Sequence, residues 1–403
     1  MQEKWAHRAD LSESAVNERH ARKLWSIPHT NLGVVAWPPT TRDELFFHWH
    51  YWWQAHYLDC LIDGLERKST KIRRSRVHRT MRAIQLRNLG PLTNNRYYDD
   101  KAWMALAMGR TSGSGVRTPK ALKKLEFDLL SGVDAALGVL PWKSGEAFYN
   151  VPANGPFAIM AARTGRLDVA MGVISWITDN LIDDDGLVAD GIRLRVSGPE
   201  LVSTPYAYNQ GTLMGAALEV ALALRELAGA SSDQASDNPS DGTQELGYDQ
   251  AEAAVSYMPY ILQVRTLVDA ISTHMATRSG VINTDSTGGD GGLFNGILAR
   301  YLADVAVRLP ADSPANVSTR RKAAKLVISS AESVWTHRLE VDGLPVFGAR
   351  WDTDAQLPHN AGPISPSRSL ITAPPVFERD FSVQLSGWML MEAAARIERA
   401  GGI

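Results

Sequence analysis

The chain is poor in cysteine: Cys60 stands alone among 403 residues. A single thiol excludes an internal disulfide and every metal or iron–sulfur arrangement built on several cysteines. Net charge is nearly absent as well, since 42 Lys+Arg against 44 Asp+Glu leave −2, so no overall field recruits nucleic acid or an anionic membrane surface. The expected partner is small or neutral. No apolar run is long enough to span a bilayer. The N-terminal stretch "MQEKWAHRADLSESAVNERHARKLW" has no uninterrupted apolar core of the kind a signal peptide requires, which points to a cytoplasmic protein, or to a secreted one whose signal has been removed.

Strand patterning is scarce, because apolar residues recur at three and four spacing rather than alternating. About twelve helices are expected on that criterion, near 11–26, 43–66, 70–88, 99–110, 118–138, 155–164, 166–182, 209–229, 248–278, 292–309, 316–339 and 381–399. The stretch "GASSDQASDNPSDG" from Gly229 to Gly242 has no apolar anchor and reads as a surface loop. Residues 343–380 hold Pro345, Pro358, Pro363, Pro366, Pro374 and Pro375 with Phe347, Trp351 and Phe377, and read as a long ordered loop near a cleft. Segments beginning near Asp99, Gly155, Asn209 and Gly292 are rich in Ala, Gly and Met, as where helix backbones approach closely. Those near 70, 118 and 316 carry many Lys and Arg, as in a solvated layer. That alternation predicts an all-α single domain over 1–403, an (α/α)6 barrel of inner and outer helices with 1–40 as N-terminal segment and first helix, in preference to an irregular α-solenoid.

In such a barrel the loops leading into the small-residue helices open at one end. They read "NNRYYDD", "FYNVPANGP", "PYAYNQG" and "STGGDGGLFNG". Any one of them is explained by capping and turn chemistry. Together they gather aromatic faces for the C–H surface of a sugar ring, and Asn, Gln and Asp for its hydroxyls.

Asp99 and Asp100 pose the sharpest question, because a helix start needs one capping acid and this one has two, walled by Tyr97, Tyr98 and Trp103. Two adjacent carboxyls in such a place cannot both ionise near neutral pH; one keeps its proton beside an anion. Glycoside hydrolysis with retention uses that combination, one group attacking the anomeric carbon and the other protonating the leaving oxygen.

Other candidates carry less. "NLIDDDGLVADGI" has the wrong spacing for an EF-hand, although its Asp190 could still reach the mouth. "FFHWHYWWQAH" lacks HExxH, and His48 and His50 fall on different helix faces, so zinc is not expected. Trp49, Trp52, Trp53 and His56 form one stripe, suited to core packing or to a sugar platform. The glycine-rich loop lacks the P-loop lysine, and no G-x-S-x-G occurs.

Taken in order, "NNRYYDDKAWMALA", "NGPFAIMAARTG", "DGLVADGI", "YAYNQGTLMGAALEV" and "DGGLFNGILARYL" resemble glycoside hydrolase family 76, the endo-α-1,6-mannanases, over most of the chain from Tyr51 to Trp388. The resemblance implies a single (α/α)6 barrel and retaining, internal cleavage of α-1,6-linked mannose backbones. It places Asp99 as nucleophile and Asp100 as general acid/base. Trp53, His56, Tyr98, Asn154, Asp190, Tyr208, Asn209, Gln210 and Asp290 fall at motif positions around the cleft, where we expect substrate contacts. It implies neither metal nor organic cofactor, and a mannan or manno-oligosaccharide as partner; we expect a monomeric or weakly associating protein. Two other readings keep the fold: a sugar epimerase or glycosidase of another linkage, and a non-catalytic glycan binder.

Overall fold

A computed structural model describes residues 4–111, 119–236, 246–284, 287–358 and 376–401. Helix starts follow from local chemistry. The side chains of Thr70, Asn150 and Ser313 each accept a hydrogen bond from the backbone N–H three residues on, and Pro152 and Pro314 sit in first turns where no donor is missed.

Burial then separates two kinds of helix. Every residue from Val151 to Ala162 is buried, whereas Lys71–Arg87 buries only Val77, Thr80, Met81, Ala83 and Ile84. A helix apolar all round belongs inside, and a helix with one narrow apolar stripe belongs outside. The inner set is α3 (Tyr51–Arg67), α5 (Tyr98–Thr111), α7 (Val151–Arg163), α9 (Ala207–Ser236), α11 (Phe294–Arg308) and α13 (Phe381–Arg399). Each packs on the next, and α13 returns to α3, closing the ring. Outside them lie α1 (Lys4–His20), α4 (Lys71–Arg87), α6 (Pro119–Ser131), α8 (Leu167–Leu181), α10 (Leu246–His274) and α12 (Pro314–His337), with α1 against α13 and each of the others against the inner helix that precedes it. The fold is an (α/α)6 barrel.

Small residues let the inner ring close. A Cβ on Gly215 would stand 2.5 Å from the Tyr301 ring, and one on Gly296 would stand 2.7 Å from the Ser386 backbone.

The structure departs from the sequence expectations in three places. The helix expected over 43–66 is broken: α2 (Thr41–Glu44) stops, and Phe46 and His50 take left-handed backbone before α3 begins at Tyr51. The loop expected from Gly229 is helical through Ser236, because extending an existing helix costs little for an Ala-containing stretch; residues 237–242 lie outside the described residues. Strands exist where none stood out. They are β1 (Ala21–Arg22) with β2 (Leu32–Gly33), β3 (Phe148–Asn150) with β4 (Gly191–Arg195) and β5 (Gly198–Val202), and β6 (Leu339–Val341) with β7 (Leu344–Val346). All pairings are antiparallel. Such short strands have too few residues for alternation to show.

Of the expected long loop, residues 347–358 bury Phe347 and Trp351, with Phe347 packed on Gly387 of α13 and Ser333 of α12 bonded to the Trp351 carbonyl. Its other end reaches the barrel mouth, where the Asp380 carboxylate accepts the Gly289 N–H at 2.8 Å. Pro363, Pro366, Pro374 and Pro375 lie outside the described residues.

Candidate active site

All six inner helices begin at the same end of the barrel, and their first turns define its mouth. Helix α5 starts at Tyr98, so Asp99 and Asp100 lie in its first turn. The Asp100 N–H donates to Asp99 Oδ1 at 2.9 Å. Asp99 Oδ2 accepts the indole N–H of Trp142 at 2.9 Å, and Asp100 Oδ2 accepts the side-chain amide of Asn95 at 2.7 Å. Asn95 is itself fixed, its Oδ1 accepting the Tyr97 N–H at 2.9 Å.

Both carboxyls keep some exposed surface, yet the protein packed around them removes most of their solvation. Desolvation therefore pushes Asp99 up to about 6, against the opposing hydrogen bond from Trp142. Asp100 is driven well above the usual carboxylate range, first by desolvation and then by the charge of Asp99, with Asp290 adding to it. Near neutral pH the pair holds one proton, and Asp100 is the group that keeps it.

Asp290 enters from the turn Gly289–Leu293 ahead of α11. Its Oδ1 accepts two indole N–H groups of α3, from Trp52 at 3.0 Å and Trp53 at 2.8 Å. Asp190 stands at the start of β4, its backbone tied to Val151 and Val202, and its Oδ1 accepts the Asn209 amide at 3.3 Å. Burial raises Asp190 to about 6. Tyr208 stacks on Phe294 with ring centroids 4.0 Å apart, and its phenol is raised by burial and by the charges of Asp190, Asp99 and Asp290. Asp99, Asp100, Asp190, Asp290, Tyr208 and Trp53 thus converge on one mouth.

The remaining expected residues are placed differently. Tyr98 turns toward the outer layer, with Lys101 Nζ 3.8 Å from its ring centroid and Gly132 against its edge. Asn154 is fully buried and spends its side chain on the Leu140 N–H and on the Leu140 and Asn150 carbonyls. Gln210 does the same with Val188 and Tyr206. These two amides hold loops, which is why helix-start amides are ambiguous in a sequence. Asn209 touches Asp190 and keeps a buried, unpartnered Oδ1. His56 lies beneath the mouth, buried against Trp103 at 4.6 Å and held neutral by desolvation that lowers it to about 3; its Nε2 has no partner.

Trp142 is a residue of the candidate site that the sequence concealed. It sits in a loop without periodicity, and only its neighbour Pro141 marks a turn. The Asn154 clamp on Leu140 sets that loop, so a buried amide of α7 positions the indole that binds Asp99.

A cavity of about 520 Å³ occupies the other end of the barrel, lined in part by Asp59, Arg110, Glu219, Arg300, Asp304 and Arg308. Its charges are matched: Arg110 and Arg300 bind Asp59 and Asp63, Arg163 and Arg308 bind Glu219, and Arg396 binds Asp304. The acids at the mouth have no such partners among these ion pairs, and that is where chemistry is possible.

Residues 136–223 match the model of glycosyl hydrolase family 76. The matched stretch includes Trp142, Asn154, Asp190 and Tyr208–Gln210. Across the whole chain, the GH76A α-1,6-mannanase of Salegentibacter sp. HEL1_6 superposes with a TM-score of 0.72 at 24% identity, covering 97% of this chain and 99% of that one. Residues 136–223 are thus similar to glycosyl hydrolase family 76, and the chain as a whole has the fold of the Salegentibacter mannanase. The Lin0763 protein of Listeria innocua has the same fold, with a TM-score of 0.73 at 21% identity and 98% of both chains covered. So does Dfg5 of Chaetomium thermophilum, solved with glucosamine, with a TM-score of 0.65 at 13% identity, covering 99% of this chain and 92% of that one. No curated protein matches the chain in sequence. The Salegentibacter mannanase is also known as an inactive variant with two adjacent aspartates replaced by asparagine, in complex with α-1,6-mannotriose.

Proposed function

We propose that the chain is a member of glycosyl hydrolase family 76 and a retaining, endo-acting α-1,6-mannanase. The observation that carries the reading is the unequal pair in the first turn of α5. Asp99 is the more acidic member, hydrogen-bonded by Trp142, and Asp100 retains a proton. Asp99 attacks the anomeric carbon as Asp100 protonates the departing glycosidic oxygen, giving a mannosyl-enzyme ester. Asp100, now a carboxylate, takes a proton from water, which attacks the same carbon and frees Asp99. Asp290 and Asp190 face the bound sugar as hydroxyl acceptors, and the Tyr208–Phe294 stack offers it an apolar face. The inactive, mannotriose-bound variant of the Salegentibacter enzyme supports both the pair and the linkage. We also propose that the enzyme acts in the cytoplasm as a monomer.

The test is digestion of linear and branched α-1,6-mannans, with product sizes read by mass and the first-formed anomer by NMR. Internal cleavage with an initial α product is expected. An initial β product removes the covalent step, and release of single mannose units only removes the endo assignment. A glycan binder would release no reducing ends and bind equally before and after Asp99→Asn.

A further inference from the structure

The near-zero net charge of the chain hides a strongly polarised outer wall. Helix α4 carries seven cations, Lys71, Arg73, Arg74, Arg76, Arg79, Arg82 and Arg87, and no carboxylate in 17 residues. Arg73 is taken up by Asp10 and Glu13, and Arg87 by the Phe46 carbonyl. Lys71, Arg74, Arg79 and Arg82 are exposed, make no ion pair with a carboxylate among the described residues, and line a groove with His29 and His78. Seven like charges on one helix repel one another, so holding them there costs stability unless an anion faces them.

The end of α4 nearest the mouth is flanked by apolar side chains in solvent. Phe47 is 64% exposed and Leu89 75%, with Trp25, Leu45 and Leu86 also exposed. They form one neighbourhood: the Trp25 indole donates to the Leu45 carbonyl at 2.9 Å, and the Arg87 guanidinium lies over both Trp25 and Trp49. The loops presenting them are held in left-handed backbone at Trp25, Phe46 and Leu89, a conformation costing about 1 kcal/mol or more for each such residue. Nothing in the core needs Trp25, Phe47 or Leu89 where they are. The carboxylates of the adjoining α2 are engaged, Asp43 capping Thr40 and Glu44 pairing with Arg22.

We propose that this face binds the surface of an anionic lipid bilayer. Basic side chains on one wall with aromatic and aliphatic tips at its edge are the two contacts such a surface offers, phosphates above and acyl chains beneath. The tips border the mouth, since the loop holding Leu45 and Phe47 leads into α3 and the loop after Leu89 leads into α5, so binding turns the mouth toward the membrane. No helix among the described residues is long and apolar enough to cross it. The attachment is peripheral.

The full chain is sedimented with vesicles of phosphatidylcholine alone and of phosphatidylcholine mixed with phosphatidylglycerol, at two salt concentrations. Binding to the mixed vesicles only, weakening as salt rises, is expected. Arg79→Glu with Arg82→Glu should reduce it about tenfold or more, and so should Phe47→Ser with Leu89→Ser, without moving the melting temperature. Arg74→Glu serves if either pair unfolds. Three results overturn the proposal: no binding to mixed vesicles, equal binding to neutral ones, or binding indifferent to Phe47→Ser and Leu89→Ser. The last marks plain counterion attraction, as for nucleic acid or an acidic protein.

Discussion

The two ends of the barrel are built from the same helices and hold similar numbers of buried acids, yet they treat them in opposite ways. At the far end Arg110 and Arg300 hold Asp59 at about 2, and Arg308 and Arg163 hold Glu219 at about 2. At the mouth, burial without a matched cation lifts Asp99 and Asp190 to about 6. A carboxylate is therefore structural or reactive according to the partner its helix end supplies. The far end is the stable one, and the mouth gives up stability for reactivity.

The largest way to break this contrast is Asp99→Asn, expected to reduce mannan cleavage about a thousandfold or more, measured as reducing ends released, while the melting temperature at pH 7 does not fall. The far-end counterpart is Arg300→Met. It leaves Asp59 and Asp63 short of a buried cation and should cost about 3–5 kcal/mol in urea denaturation.

Stability against pH sharpens the contrast further, because the two ends slope in opposite directions. Asp99 and Asp190, raised from 3.8 to about 6, bind protons more tightly folded than unfolded, so their contribution falls as pH rises from about 4 through about 6. Asp59 and Glu219, lowered to about 2, contribute fully above their ordinary values and lose that contribution as pH falls toward about 2. Thermal melts of Asp99→Asn with Asp190→Asn should show a shallower decline between pH 4 and 6, the remainder coming from Asp100, and keep the acid one.

Activity should trace a bell, rising as Asp99 ionises near pH 6 and falling where Asp100 finally loses its proton. In Asp290→Asn both limbs should move to lower pH, since a negative charge acting on both groups is gone. The smallest effect is expected from Trp142→Phe. Losing one hydrogen bond to a charged acceptor should lower kcat/KM about tenfold and shift the acid limb upward.

Much of the architecture was readable because inner and outer helices solve different problems. The Ala, Gly and Met of α7 have to admit close neighbours, and the Lys and Arg of α4 have to meet water. The pair we propose as catalytic stood out for a related reason: two acids exceed what capping the start of α5 requires. The indole of Trp142 could not be read, because it reaches Asp99 across a loop whose course is set by Asn154, and no local pattern encodes a contact 43 residues away. Asn154 and Gln210 misled in the opposite sense, polar residues beside the site whose hydrogen bonds are consumed by backbone. The break at Phe46 was hidden as well. Apolar spacing continued through it, while the chain turned outward to present Phe47.

The arginine–carboxylate floor has a further consequence for traffic. With His56, Trp103 and their buried neighbours closing the barrel above that floor, the described residues leave a polymer no tunnel to thread and no back door to leave by. On the proposed mannanase reading it lies across the rim and is gripped part-way along its length, so free ends are not needed to start a cut, and each fragment departs by the way it came.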